Sequence, residues 1–385
     1  MKVALITDGI SPFVIGGMQK HSAFLAKYLT LGGCEVTLYH CVYNQEIPTK
    51  KEVNNAIFDD STELYDVIGL QFPKSLRFPL HYLFNSYKYS KLIFNLIESE
   101  LDKFDFIYAK GFSAWKILKE NKDIKNLTPI GVNFHGMNMF LPSDEIKQKL
   151  YKPILKKYVK KNMSMADYVF SYGGKVTNTI NEAGIDYNKI IEIPTGIDLS
   201  WVVNKEKLVI NDKLKFLFIG RNDPLKGLDI IFRYLKNNEL NDCEFHFVGP
   251  IKKNVISNNI KYFGEVKSFA EMTKIIDCCD VLIVPSYSEG MPNVILEAMS
   301  RGLIILATNV GAISTMVSST NGILIDYADY ALFSESISKI LNSNHDSLLN
   351  KKKYSINKVV DYFVWDRIIV KLLNKLNVAV KNHNV

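Results

Sequence analysis

The chain has no Cys-x-x-Cys pair, no Gly-x-Gly-x-x-Gly run, no Asp-x-Asp triplet, and no apolar stretch long enough to cross a bilayer. Each absence removes a class of protein. The five cysteines, Cys34, Cys41, Cys243, Cys278 and Cys279, suggest neither a disulfide framework nor a zinc knuckle and fit a reducing compartment. Without the glycine fingerprint, a nicotinamide dehydrogenase loses its phosphate-binding turn. Without paired aspartates, no triplet is available to hold a divalent cation. The opening MKVALITDGISPF is cut by Asp8 and is too short and too soon polar for a secretory signal, so a cytoplasmic chain is expected.

What is present is an ordinary globular composition. The 385 residues are 47% apolar, 12% aromatic and 23% charged, enough to fill two hydrophobic cores and more than one core usually supports. The formal net charge of +7 favours polyanions in general without choosing among them. Short apolar runs recur between helix-like segments: VALIT at 3–7, VTLYH at 36–40, FIYAK at 106–110, KFLFIG at 215–220, EFHFVG at 244–249 and VLIVPS at 281–286. This alternation predicts parallel α/β sheets. It appears twice and fades over residues 194–214. The expected organisation is a first domain over 1–195, a linker over 196–214, a second domain over 215–355 and a C-terminal helix over 356–385. In open α/β sheets ligands sit beyond the carboxyl ends of the strands, so a cleft between two such ends is the expected site.

The polar motifs fall where that rule puts them. After the first strand, Gly16 and Gly17 precede the helix-like SAFLAKYLTLGG, and glycines at a helix entrance let backbone N–H groups approach an anion. An ordinary strand-to-helix turn would read the same. His135 follows the strand-like PIGVNF; a lone His is more often structural. Arg221 directly follows a strand and Lys226 stands at the next helix entrance, a pairing that suits a diphosphate or a solvated surface. The segment VLIVPSYSEGMPNVILEAMSRG puts Glu289 in a loop and Glu297 on the following helix of about ten residues, with Pro292 in its first turn. Two such carboxylates can accept hydrogen bonds from two polyol groups of one ligand, and the N–H groups of Gly290, Met291 and Asn293 can add anion contacts.

Taken in order, GGMQKH, NFHG, PTGID at 194–198, GRNDPLKG, the Glu289-to-Glu297 segment EGMPNVILE, ATNVGAIS and NGILID resemble the family 4 glycosyltransferases over nearly the whole chain. The resemblance implies the GT-B fold: α/β, with two Rossmann-like doubly wound domains facing across a cleft. It implies a retaining hexosyltransferase that uses a nucleotide diphosphate sugar, with no cofactor and no protein-bound metal; no motif names the base, for which UDP is the first expectation and GDP the second. Glu289 would bind hydroxyls of the donor hexose and Glu297 the nucleotide ribose. Gly290, Met291, Pro292, Asn293 and Val294 would line the donor site. Arg221 and Lys226 would neutralise the diphosphate, Gly16 and Gly17 would bring backbone to phosphate and acceptor, and His135 would contact the sugar near the reacting carbon.

One position departs from the family pattern. Relatives commonly carry a carboxylate where this chain has Thr315, in Gly311-Ala312-Ile313-Ser314-Thr315, so this loop is expected to give backbone contacts only. The tail, with Tyr362, Trp365 and Asp366, resembles the family helix that returns to the first domain, although an amphipathic helix packed on its own domain fits the pattern equally. Residues 147–161 hold seven lysines and no acid, and 76–94 are aromatic and basic; together they suit an anionic membrane surface or a lipid-linked glycan acceptor. A location peripheral to the inner face of the cytoplasmic membrane follows from that reading. Solvated helix faces are the simpler account. No nucleic-acid module accompanies the charge. The rival functions are a nucleotide-sugar epimerase of GT-B fold and a nucleotide-sugar-binding protein without turnover.

Overall fold

The computed structural model describes residues 1–75, 80–120, 128–141 and 146–383, with 146 and 147 described by backbone alone. The chain divides into two compact units. The first comprises Met1 to Tyr172, Val176 to Pro194 and the residues from Ile368 onward; the second comprises Gly173 to Lys175 and Thr195 to Arg367.

In the first unit the strands are β1 (Lys2–Ile6), β2 (Glu35–Val42), β3 (Asp66–Gln71), β4 (Phe106–Lys110), β5 (Ile130–Asn133), β6 (Tyr168–Ser171) and β7 (Ile190–Glu192). Among the described residues they form one parallel sheet in the order β3-β2-β1-β4-β5-β6-β7. Every residue of β4 and β5 is buried, which is why these strands read as continuous apolar runs. Helices α1 (Gly17–Leu31), α2 (Lys50–Ile57), α3 (His81–Ile97), α4 (Trp115–Glu120), α5 (Ile146–Met165) and α6 (Lys175–Glu182) connect them. The entry to α2 is set by a capping box, in which Thr49 and Glu52 satisfy one another's free N–H groups. The helix α1 stops at Gly32, and Gly33 follows at φ 85°, a left-handed position that suits glycine.

The second unit repeats the plan. Its strands are β8 (Leu214–Ile219), β9 (Cys243–Val248), β10 (Ile260–Gly264), β11 (Val281–Val284), β12 (Ile304–Thr308) and β13 (Gly322–Ile325), parallel in the order β10-β9-β8-β11-β12-β13. The helices are α7 (Leu228–Asn237), α8 (Phe269–Asp277), α9 (Asn293–Ser300), α10 (Ile313–Met316), α11 (Tyr330–Leu341), α12 (His345–Tyr362) and α13 (Trp365–His383), the last running on into the first unit. Phe216, Phe245, Phe247 and Ile283 from the sheet pack with Ile231, Phe333 and Ile337 from α7 and α11 in one core. In both sheets the strand order reverses at one place, between β1 and β4 and between β8 and β11, and at such a switch point the connections leave to opposite faces and open a crevice.

Two sequence-based boundaries need correction. Residues 196–214, expected as a linker, count with the second unit. Trp201 packs edge-on against Phe269 at 4.9 Å, and Val203 N–H donates to the Ser300 carbonyl at 3.1 Å. The buried Asp280 carboxylate accepts from the Asn211 backbone at 3.3 Å, the Asn211 side chain at 2.8 Å, Lys215 N–H at 3.0 Å and Lys352 Nζ at 3.0 Å. This stretch lacks periodicity because it is built from short 3₁₀ turns, at Leu199–Trp201 and Lys205–Lys207, and not because it lacks contacts. The tail over 356–385 is likewise not one helix. It breaks between α12 and α13, where Ile197 N–H donates to the Phe363 carbonyl at 2.8 Å and Trp365 N–H donates back to Ile197 at 3.1 Å. Residues 356–367 stay with the second unit, and the residues from Ile368 belong to the first.

Candidate active site

The second unit's site is built on the loops at its switch point. After β8, Asp223 accepts from Leu225 N–H at 2.9 Å and starts a single turn, Pro224–Lys226. Gly227 closes that turn at φ 69°, and a Cβ there would lie 2.0 Å from the Pro285 carbonyl oxygen, so only glycine lets the turn lie against the end of β11. Tyr287 N–H donates to the Leu225 carbonyl at 2.9 Å and ties the two loops together. The result is a short ion pair, Lys226 Nζ to Glu289 Oε1 at 2.7 Å, with Ser286 Oγ donating to the same oxygen at 2.8 Å. The Glu289 side chain is only 9% exposed and that of Lys226 26%. Such a pair, held by a third donor and mostly out of water, is far better defined than a surface pair.

Gly290 and Met291 continue this loop. Met291 is buried, and its sulfur accepts from Thr195 N–H at 3.2 Å. Pro292 stands at the N-cap of α9 and not in its first turn, and α9 has eight residues where about ten are expected from sequence. The N–H groups of Asn293 and Val294 lie in that first turn, where helix geometry gives them no partner within the helix. Glu297 is buried in the middle of α9 at 8% exposure, so it does not stand on a solvated helix face. The loop after β12 is pressed against this segment. Gly311 has φ 58°, its Cβ would fall 2.3 Å from the Gly290 carbonyl, and Ala312 N–H donates to that carbonyl at 2.7 Å. At the position lacking the expected carboxylate, Thr315 Oγ1 closes its own turn on the Ala312 carbonyl at 2.7 Å. Arg221 stands apart from the Lys226–Glu289 pair: its side chain is 81% exposed and lies 3.9 Å from Asp223. Ser286, Tyr287 and the contact made by Gly311 have no signal in a single sequence.

In the first unit Gly16 caps α1, and Gly17 has open space where a Cβ would stand. His135, just past β5, belongs to a buried polar group that sequence reading missed. Lys110, the last residue of β4, is fully buried, and its Nζ reaches Asn133 Oδ1 at 2.7 Å and His21 Nδ1 at 2.9 Å. Tyr172 hydrogen-bonds both Asn133 and His135, and the His21 and His135 rings meet edge-to-face at 5.3 Å. Burial drives the Lys110 amine well below its ordinary range, opposed by the nearby Asp8 carboxylate. Burial, and then the charge of Lys110, pushes both His21 and His135 well below the ordinary histidine range. The only hint in the sequence is a charged residue closing an apolar strand.

Asp8 lies two residues beyond β1, at the switch point of this sheet. Its Oδ1 is buried without a hydrogen-bond partner among the described residues, and burial raises its carboxyl from 3.8 to about 6. Between those values the folded chain keeps a proton that the unfolded chain has lost, so stability falls as pH rises through that window. Asp8→Asn removes the titration. Thermal melts are expected to show the variant gaining on the parent at pH 8 and not at pH 4; an equal difference at both would contradict this.

Two family models match the chain, Glycosyltransferase Family 4 over residues 15–201 and Glycosyl transferases group 1 over residues 213–343. An uncharacterized glycosyltransferase of Methanocaldococcus jannaschii is 29% identical, with 86% of each chain covered. A protein of Escherichia coli named UDP-Gal:alpha-D-GlcNAc-diphosphoundecaprenol alpha-1,3-galactosyltransferase is 29% identical over 51% of this chain and 55% of its own. Among solved structures, sucrose-phosphate synthase from Thermosynechococcus elongatus superposes with a TM-score of 0.76 at 17% identity, covering 98% of this chain and 99% of that one. A protein from Anabaena, solved in complex with UDP, gives a TM-score of 0.68 at 15% identity and covers 98% and 100%. The doubly wound units, the matched models over most of the length and these relatives agree: the chain belongs to the family 4 glycosyltransferases and has the GT-B fold.

Proposed function

We propose that this glycosyltransferase is a retaining enzyme that transfers a hexose or N-acetylhexosamine from a nucleoside diphosphate sugar to a hydroxyl of a growing surface glycan or lipid-linked acceptor. UDP is the first choice of nucleotide and GDP the second, and no protein-bound metal takes part. The observation that carries the reading is the Lys226–Glu289 pair at the second unit's switch point, with Arg221 on the same loop. A diphosphate draws Lys226 and Arg221, and the sugar hydroxyls take the Glu289 carboxylate, whose Oε2 carries none of the bonds described above. Glu297 takes the ribose hydroxyls. The segment from Gly290 to Val294 offers backbone to the donor, Gly16 and Gly17 offer it to phosphate and acceptor, and His135 meets the sugar.

In the step itself the bond from the anomeric carbon to the phosphate oxygen breaks as the acceptor oxygen bonds to that carbon on the same face. The acceptor's proton passes to the departing phosphate oxygen, and a nucleoside diphosphate leaves. Arg221 and Lys226 neutralise the charge that builds on the leaving group, an effect whose loss costs on the order of a hundredfold in rate. Relatives support the acceptor class: one is named for transfer to a diphosphoundecaprenol-linked sugar and another for capsular polysaccharide biosynthesis. The test is binding and hydrolysis of a panel of UDP- and GDP-sugars in EDTA. One donor is expected to bind and turn over, with Glu289→Ala and Arg221→Ala each slowing it about a hundredfold; no binding, or loss of turnover on adding EDTA, would overturn the reading.

The acceptor reading extends to an anionic membrane surface reached through residues 76–94 and 147–161. Residues 76–79 and the Lys147 side chain lie outside the described residues. In α5 the lysines 149, 156, 157, 160 and 161 are exposed, as are Leu150 at 72% and Ile154 at 37%, one helical turn apart. Tyr82, Phe84, Leu92 and Leu96 of α3 are exposed as well. Among the described residues no helix is long and apolar enough to cross a membrane. Basic residues interleaved with apolar ones bind anionic headgroups at about 1 kcal/mol each. Sedimentation with vesicles containing anionic lipid is expected to pull down the chain, to fail with neutral lipid, and to weaken on Lys156→Glu with Lys157→Glu; equal binding to both lipids would contradict it.

A further inference from the structure

Asp8 stands just past the carboxyl end of β1 with a carboxylate that the rest of the first unit leaves unserved. Its Oδ1 has no hydrogen-bond partner among the described residues, although the residue as a whole is only half-buried and so keeps a side toward solvent. Lys110, whose charge acts on it, gives its own Nζ to Asn133 and His21 instead. Holding an unpaired carboxylate away from water is costly, and a fold that retains one leaves the missing donor to be supplied from outside.

Two half-exposed aromatic rings are tied to the same strand end. The Tyr89 hydroxyl donates to the Thr7 carbonyl at 2.7 Å, beside Asp8; Phe72 packs on Tyr89 at 5.5 Å, and Tyr43 packs on Phe72 at 4.9 Å. By a second route, Ser113 Oγ donates to the Ile6 carbonyl at 3.1 Å, and the neighbouring Phe112 ring meets Tyr82 at 6.2 Å. Tyr82 and Tyr89 are seven residues apart on α3, two helical turns, so the helix face that reaches β1 carries both. Tyr43 is 43% exposed and Tyr82 42%. Burial, then the Asp8 charge, nevertheless pushes the Tyr82 hydroxyl up to about 12, and burial, then Cys41 and Asp8, pushes the Tyr43 hydroxyl the same way. A ring open to solvent whose hydroxyl is hemmed in by protein stands in the wall of a hollow. The groups that act on Tyr82, namely Asp8, Ser86, Tyr151 and Cys41, all belong to the first unit.

We propose that Asp8, Tyr43 and Tyr82 form a subsite for a neutral pyranose, the terminal sugar of the acceptor. A sugar ring presents a flat face of C–H groups and an edge of hydroxyls, so it needs an apolar plane and a hydrogen-bond acceptor side by side. The tyrosine rings supply the plane and the carboxylate accepts from a hydroxyl. The carboxylate also selects by charge: with no cation bonded to it among the described residues, it disfavours a phosphate or a uronate. That the bound sugar is the acceptor's rests on the transferase reading above; that a neutral sugar binds here does not.

The two parts are separable by experiment. Saturation-transfer NMR of the full chain near neutral pH, with the methyl β-glycosides of glucose, galactose, N-acetylglucosamine and glucuronic acid, needs no donor. At least one neutral glycoside is expected to receive saturation, most strongly at its ring C–H protons, and the glucuronoside none. Tyr43→Ala and Tyr82→Ala are each expected to weaken binding about fivefold and Asp8→Asn about tenfold, whereas Tyr82→Phe, which keeps the ring, stays within about twofold of the parent. No signal from any neutral glycoside, an equal signal from the glucuronoside, or binding unchanged by Tyr82→Ala and Asp8→Asn would overturn the proposal. If Asp8→Asn does not fold, the half-exposed tyrosine variants and the glucuronoside decide. With a donor that turns over, Tyr82→Ala is expected to raise the acceptor KM about fivefold and leave the donor KM within about twofold. A chain that binds the neutral glycoside through these residues and no nucleotide sugar would sink the transferase reading and leave the subsite standing; donor turnover without glycoside binding would do the reverse.

Discussion

Everything at the candidate site depends on one constraint of parallel sheets. Each crossover between parallel strands must be right-handed, so where the strand order reverses, successive connections are forced to opposite faces and leave a gap above the strand ends. That reversal occurs between β8 and β11 in the second unit and between β1 and β4 in the first. The side chains with unusual surroundings gather there: Lys226, Ser286 and Glu289 on the loops after β8 and β11, and Asp8 and Lys110 at the ends of β1 and β4. Neither set lies on a helix face or a strand interior, where packing alone would explain it.

The two sets use charge in different ways. In the second unit a carboxylate and an amine neutralise one another at the mouth of the crevice, partly exposed, so a ligand carrying both anionic oxygens and hydroxyls can exchange with each partner at little electrostatic cost. In the first unit the amine is fully buried and its hydrogen bonds go to neutral partners, Asn133 and His21. A buried amine in that setting contributes little as a free charge. It ties the Asn133 amide oxygen and the His21 ring to the end of β4.

Much of this was legible in the sequence. The FIYAK run coincides with β4, and the strands near 3–7, 36–40, 215–220, 244–249 and 281–286 were read to within a few residues because strands buried on both faces are apolar throughout. Glu289 and Lys226 stood out because loops after strands are short and their polar residues conspicuous. What was not legible is non-local. Lys110 reads as an ordinary charged residue closing a strand, and only the arrival of Asn133 and His21 from 23 and 89 positions away makes it a buried one. Residues 196–214 looked like a tether because irregular turns leave no period, although the Asp280 carboxylate accepts from both the backbone and the side chain of Asn211. The burial of Glu297 likewise depends on what packs over α9 and not on its spacing from Glu289.

On the proposed function, the second unit's switch-point loops hold a nucleotide. Hydrogen–deuterium exchange with saturating UDP, and separately GDP, reads this directly. Slowed exchange is expected in peptides spanning 221–228 and 286–299 with one of the two nucleotides. Binding that leaves both segments unchanged, and protects another part of the chain instead, would contradict it.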